Sequence, residues 1–468
     1  MKHSSQNRRA MLPVVFALAW PTMLEQLMQT AVQYIDTAMV GTLGTFATAA
    51  VGATSTVGWL INSSISAVGV GFLAYIAQAL GAGEEQRARR AVSQTVLATM
   101  VIGVLFTILP LALSRQVPRW MQVDEQLHDL AAGYFFVLYT PMLLRTASIL
   151  FGTVLRAAGD TKTPMRVGVW VNLINVVLNT LLIYETRPVT LLGWTFVMPG
   201  AGMGVVGAAL ASAIAYAVGG VVITIKLWRH PLLSPKGLSL KPDRQVLRPC
   251  LKVALPNMLQ RFGTSLGYVA FASLINALGG VATAAHTIAN TVESAFYIPG
   301  FGMQTAAATL SGNALGAKDR QRMKDVSATL LPLEIGLMVV SGGLLFAFAP
   351  QLVGLFSKDP EVIRLGSTVL RMVAVSEPFY GVPIVIEGLM QGVGRTVTPF
   401  VFNLIGMWGV RIVGTFIFTR LLGHGLVAAW GCMIAHNLLL FILFTLHFAS
   451  GKWNPLAEEQ QQKGEQLA

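Results

Sequence analysis

Long apolar runs, separated by short polar segments, organise this chain from end to end. They fall near residues 11–40, 47–80, 91–113, 127–157, 164–184, 203–228, 246–278, 282–315, 322–355, 361–392, 397–421 and 425–449. A helix of about 20 mostly apolar residues crosses roughly 30 Å of hydrocarbon. Within lipid the backbone has to satisfy its own hydrogen bonds, which for runs of this length means helix. The pattern predicts an all-α polytopic membrane protein with twelve transmembrane helices. Composition agrees: of 468 residues 54% are hydrophobic and 12% charged, against roughly 25% charged in a soluble domain.

The twelve runs form two sets of six. Shifting the chain on itself by 235 residues brings Pro21 onto Pro256, Leu80-Gly81-Ala82 onto Leu315-Gly316-Ala317, Gln86-Arg87 onto Gln321-Arg322, and Thr163-Pro164 onto Thr398-Pro399. The offset drops to 221 at Gly204 and Gly425, because the first half has a longer outer loop over 185–201. An even number of spans returns the chain to its starting side, so the halves are two six-helix bundles related by a pseudo-two-fold axis along the membrane normal. Transporters place substrate between such halves. The expected units are a lobe at 1–228, a linker at 229–248 with Pro231, Pro235 and Pro242, a second lobe at 249–450 and a polar tail at 451–468.

A net charge of +12 would suggest nucleic acid in a soluble protein. Here alternate connections collect 23 of the 33 basic residues on one side, which by the positive-inside rule is the cytoplasm and holds both termini. The basic start followed by a long apolar segment reads as the first span, with no cleavage site for a leader. Cys250 and Cys432 lie too far apart in sequence to suggest a disulfide framework or a metal site.

An ionisable side chain at the centre of a span costs roughly 2.5–3.5 kcal/mol on insertion scales, so each needs a partner or a task. In the first span Glu25, Gln29, Gln33 and Asp36 share a face about 80° wide. In the fifth, Asn172, Asn175 and Asn179 do the same. Asp36, Asn175, Asn179 and Ser212 reach a common depth and form the candidate ion or proton site. The repeat equivalents of the first three are Phe271, Val410 and Gly414, so the halves differ in chemistry. The second half has its own stripe, His286, Asn290, Glu293 and Tyr297, and two further acids, Glu377 and Glu387. With Glu25 and Gln33 these are candidates for a substrate cleft or second ion site. Gly202-x-Gly204-x-x-Gly207 follows no strand, and Gly263–Gly267 lies inside an apolar run, so neither is a nucleotide or nucleophile motif. No phosphate loop is present, and no enzyme is expected.

The stretch from Leu18-Ala19-Trp20-Pro21 to Asp36-Thr37-Ala38-Met39-Val40-Gly41 resembles the opening of multidrug and toxic compound extrusion (MATE) transporters. Residues 78–83, 155–164, Ile298-Pro299-Gly300-Phe301-Gly302 and Leu315-Gly316-Ala317 are similar to further signatures of that family. The resemblance implies secondary active efflux of cationic or amphiphilic drugs in antiport with a cation. It puts the ion at the positions of Asp36, Asn175, Asn179 and Ser212, and a helix bend at Pro21, whose repeat partner is Pro256. Some members have Asp where Asn179 stands and Thr where Ser212 stands. Members that couple sodium through the second half have Glu and Asp near the positions of Thr264 and Tyr380, so H+ is expected before Na+. The remaining expectations are a monomer in the bacterial inner membrane, with drugs or cationic metabolites and the lipid bilayer as partners, no nucleic acid, and no cofactor or metal beyond the coupling ion. A competing reading, a flippase for a lipid or lipid-linked saccharide, stays open through Arg145, Arg261, Arg371 and Arg411 inside the spans.

Overall fold

The computed structural model describes residues 2–121, 125–191 and 194–458. The first half consists of α1 (Lys2–Gly41), α2 (Thr45–Gly81), α3 (Glu85–Leu113), the short α4 (Val117–Trp120), α5 (His128–Tyr139), α6 (Met142–Ala157), α7 (Lys162–Leu182) and α8 (Gly204–Trp228). The second consists of α9 (Arg244–Asn276), α10 (Gly280–Gly316), α11 (Arg320–Gly354), α12 (Pro360–Gly392), α13 (Val397–Leu404), α14 (Val413–Phe416) and α15 (Leu426–Ala449). One span is broken: Glu125–Tyr139 and Met142–Ala157 meet at 49°. Another, Val397–Leu421, includes π-helical turns at Ile405–Ile412 and Ile417–Leu421. With each of these counted once, the described residues form twelve membrane-length rods, as the apolar pattern predicted.

Nine unbroken helices and the bent pair are apolar enough to cross a membrane by composition alone. Helices α9 and α10 are not, although they are 33 and 37 residues long. Their polar side chains, Asn257, Gln260, His286 and Glu293 among them, are buried inside the bundle. The surface facing outward is apolar instead: Val101, Ile108 and Val340 are each 60% exposed or more. One departure from all-α lies in the outer loop of the first half, where β1 (Glu185–Leu191) and β2 (Trp194–Ala201) pair as an antiparallel hairpin. The alternation in this segment is too short to stand out beside the long apolar runs.

The two halves exchange the starts of their first helices. Val15, Leu18 and Ala19 of α1 are buried in one apolar cluster with Met303, Leu310 and Met323 of the second half. Reciprocally, Val246 and Cys250 of α9 belong to the cluster around Phe72, Val92 and Leu150 of the first. Cys250 is the repeat equivalent of Val15. Beyond Pro21, α1 runs on along α10, where the Tyr34 hydroxyl lies 3.1 Å from Thr291 O and 3.0 Å from Ser294 Oγ. Pro21 leaves the Ala17 carbonyl without its helical donor, and Thr161 Oγ1 donates to it at 3.3 Å. The repeat-equivalent Thr396 donates to Val253 O at 2.8 Å, just before Pro256.

On the side that carries both termini and most basic residues, the halves close on each other through glycine. A Cβ on Gly81 would strike the carbonyl oxygen of Asn313, and one on Gly316 that of Gln78. These are the same contact seen from either side of the pseudo-two-fold axis, since Gln78 and Asn313 are themselves repeat partners. Hydrogen bonds Gln78 Nε2 to Gly392 O (2.8 Å) and Thr309 Oγ1 to Arg156 O (3.3 Å) cross the same seam.

The linker is pinned rather than loose. Arg89 donates to Ser234 O and Lys236 O at 3.0 and 3.1 Å, and Gln94 brackets Lys241 and Asp243. Asp243 caps α9 through Gln245 N at 2.9 Å, so the linker ends at 243 rather than 248. The start of the tail also docks: Trp453 stacks on Phe448 with centroids 5.1 Å apart, and Arg395 grips Glu458. That hydrogen bonding holds the Glu458 carboxyl below its ordinary range. Residues 459–468 of the expected tail lie outside the described residues.

Because no space exists for a Cβ at the glycine seam, Gly81→Val or Gly316→Val should prise it apart by overpacking, at about 1–3 kcal/mol. In a Cys432→Ser background the buried Cys250 thiol reports the seam. Either variant is expected to raise its maleimide labelling rate severalfold, whereas Gly343→Val, with nothing within 4 Å, should not. Unchanged labelling in folded Gly81→Val protein would disprove the seam.

Candidate functional site

The predicted cluster of the first half assembles. The end of α1 lies along α7, bringing the partly buried Asp36 to the face that carries Asn175 and Asn179, while α8 supplies Ser212. Asn179 Nδ2 donates to Asp36 Oδ1 at 2.5 Å. Asn175 lies against the same carboxylate. With its amide nitrogen turned to Asp36, that nitrogen is 2.8 Å from Oδ1 and 3.2 Å from Oδ2, and its oxygen accepts from Ser212 Oγ at 3.0 Å. With the oxygen turned to Asp36, the nitrogen donates to Ser212 Oγ at 3.0 Å instead. The first orientation suits a carboxylate and the second a protonated carboxyl. No lysine or arginine pairs with Asp36 among the described residues.

Glu25, expected in a cleft, is tied down. Arg156 Nη2 donates to its two oxygens at 2.7 and 2.6 Å, and the acid is 7% exposed. It is a closed ion pair rather than a free acid. Gln33 stays exposed on α1 away from the Asp36 contacts. The second-half stripe also separates. Trp430 Nε1 donates to His286 Nδ1 at 3.2 Å and Phe271 packs edge-on against the imidazole, a core arrangement. Asn290 is exposed, Glu293 is buried, and Tyr297 meets the Tyr380 ring edge-on at 5.6 Å. Glu387 accepts from Gln260 (2.9 Å), Gln391 (3.1 Å) and Asn403 (3.2 Å). Glu377 is buried without a partner. No group of three His, Cys, Asp or Glu among the described residues is placed to hold a metal ion.

A family model described as MatE matches residues 21–181 and again 256–417, so its two copies begin 235 residues apart. The chain belongs to the MatE family. This is a family of transporters, not of enzymes. The chain is 28% identical over 451 residues to a Thermotoga maritima protein named probable multidrug resistance protein NorM, covering 96% of this chain and 95% of that one. It is 27% identical over 432 residues to Bacillus subtilis YoeA, likewise named a probable multidrug resistance protein, covering 90% of each. Among solved structures, an outward-facing multidrug resistance MATE transporter matches with a TM-score of 0.87 at 23% identity, covering 95% of this chain and 96% of that one. A MATE protein in a bent conformation matches at 0.87 and 22%, covering 98% and 99%. These structures share the fold.

Within this MatE chain the four intraspan arginines are already occupied. Arg145 stacks on Tyr216 at 4.2 Å, Arg371 on Phe346 at 5.6 Å, and Arg411 on Phe271 and Tyr268 at 4.2 and 5.0 Å. Arg261 Nε donates to Asn257 Oδ1 at 2.9 Å. Arg145 therefore has an aromatic partner. The sequence pattern does not pair Arg156 with Glu25, which lies 131 residues away. Its position in the last turn of α6, one helix from the polar stripe of α1, was the available signal.

The repeat supplies a test of Glu25. Its equivalent is Gln260, and that of Arg156 is Gln391, so the second half builds the same position from two amides. Removing one partner of a buried pair costs about 3–5 kcal/mol, whereas removing both can be nearly neutral. Glu25→Gln is expected to lower the thermal unfolding midpoint of detergent-solubilised protein, and Glu25→Gln with Arg156→Gln to recover most of the loss. A double variant as unstable as the single one would show that the pair has another task.

Proposed function

We propose that this MatE protein exports cationic or amphiphilic drugs from the cytoplasm in exchange for protons, with Asp36 as the site where the proton acts. The observation that carries this reading is a carboxyl whose partners are two amides and, through Asn175, a hydroxyl, with no fixed cation. Such a group can gain and lose charge without leaving a lysine or arginine unpaired. Each form has a matching orientation of Asn175, so protonation rearranges the contacts that hold α1 to α7 and α8. The names of the relatives support drugs as cargo. The basic side, with both termini, faces the cytoplasm of a bacterial inner membrane.

Protons are favoured over sodium because Thr264 and Tyr380 offer no carboxylate in the second half. The flippase alternative needs arginines free to line a cationic cleft, and those within the spans are stacked on rings or bonded to Asn257. A ligand shifts a conformational equilibrium only through different affinity for the two states. Coupling therefore requires drug and proton to favour opposite forms of Asp36.

In proteoliposomes loaded with ethidium, an imposed proton gradient should drive export by the wild-type protein, and Asp36→Asn should reduce it to the protein-free baseline while the protein remains folded. Export driven by sodium alone would overturn the proton assignment. No export under either gradient would overturn drug efflux.

A further inference from the structure

The second half contains two acids that nothing around them satisfies. Glu334 of α11 is fully buried and Glu377 of α12 is 1% exposed. All four of their carboxyl oxygens lack a hydrogen-bond partner, and neither residue forms an ion pair. Glu334 reaches into the space left by two glycines: Oε1 lies 2.6 Å from where a Cβ would stand on Gly300 of α10, and 3.1 Å from that on Gly381 of α12. From the facing helix, Glu377 Cβ lies 3.3 Å from where a Cβ would stand on Gly342 of α11. The two acids thus enter one seam between α10, α11 and α12.

The first half shows that the fold does not need them. At the positions equivalent to Glu334 and Glu377 stand Thr99 and Met142. Thr99 closes its hydroxyl on Thr95 O at 2.8 Å, and Met142 is ordinary apolar core. The second half departs from the first in another respect at the same place. Pro299 adjoins Gly300, Pro332 is two residues before Glu334, Pro378 follows Glu377, and Pro383 is two residues after Gly381; their equivalents are Ser64, Leu97, Leu143 and Ser148. Prolines within a helix remove a backbone hydrogen bond and allow it to bend. The unpartnered acids and these four prolines occur together in the second lobe.

An isolated carboxylate in such surroundings is costly, and a proton removes the charge. No group of three His, Cys, Asp or Glu among the described residues is placed here to hold a metal ion. We propose that Glu334 and Glu377 form a proton-binding site in the second lobe, separate from Asp36, which holds its protons while the seam is closed and releases them when it opens. The groups facing Glu377 are Glu334, Glu293, Tyr297 and Tyr380, and Glu293 lies within electrostatic reach of Arg411. A proton leaving Glu377 has Glu293 as its next carboxylate, with Arg411 to balance the charge left behind. In its transport consequence this site rests on the proton-coupled reading above; in its protonation it does not.

Infrared spectroscopy of the purified protein at neutral pH separates the two. The carboxyl C=O band of protonated acids should be present in wild-type protein, weaken in Glu334→Gln and in Glu377→Gln, and weaken most in the double variant, with thermal stability retained because glutamine is the neutral isostere. Ethidium added to weakly buffered, detergent-solubilised protein should release fewer protons from the double variant than from wild type. A band unchanged by the double substitution, or equal proton release, overturns the site. Failure of Asp36→Asn to impair export would count against the reading above and leave the infrared result standing.

Discussion

A carboxyl group buried among apolar helices has no water to stabilise its charge, and this constraint sorts the acids of the chain by task. Glu25 meets it with Arg156, Glu387 with three amides from Gln260, Gln391 and Asn403. Both are braces: their partners are fixed, and a change of charge would break the local structure. Asp36 meets it with amides that can present either nitrogen or oxygen. Glu334 and Glu377 do not meet it with protein groups at all. The partner set, rather than the acid itself, decides whether a side chain holds helices together or changes its charge.

The internal repeat turns this sorting into comparison within one molecule. At each position where the halves fold alike but differ in chemistry, the neutral member shows what the fold alone demands. Gln260 and Gln391 show that the Glu25–Arg156 pair is one solution of two. Phe271 shows that the end of α1 can be packed without Asp36, and Thr99 with Met142 that the seam of the second lobe can be filled without acids. Where the halves agree, the agreement is mechanical: Pro21 and Pro256 each preceded by a threonine-held carbonyl, and Gly81 and Gly316 set against each other's neighbouring backbone.

Features that depend on length and period were legible in the amino-acid order: twelve spans, two halves, and the Asp36, Asn175, Asn179 and Ser212 cluster, whose stripes specify a face. Features that depend on how one helix is rotated against another were not. Glu334 stands alone between Leu333 and Ile335, so no stripe reveals whether it faces lipid or core, and only packing against Gly300 and Gly381 decides. Glu25 belongs to the polar stripe of α1, yet its partner comes from the last turn of α6, 131 residues away in sequence. The π-helical turns around Arg411 and the exchange of helix starts leave no periodic mark, because both arise from contacts between segments far apart in sequence.

That exchange gives α1 a special mechanical position. Its start is buried in the core of the second lobe and its end lies against α7 of the first, so it spans the boundary along which the lobes would have to move. Pro21 is the interruption between these two attachments, and the Thr161 hydroxyl holds the carbonyl it frees, which permits bending without an unsatisfied backbone group. On the proton-coupled reading, a rearrangement at Asp36 acts at the outer attachment while Val15 and Leu18 keep the inner one fixed. The resulting strain falls on the segment at Pro21. Helix α9 straddles the same boundary in the opposite sense, but with Phe271 in place of Asp36 it has no carboxyl at that position to respond. The pair is symmetric in structure and asymmetric in chemistry, so on the proton-coupled reading the bend falls on α1 while α9 serves as its fixed counterpart.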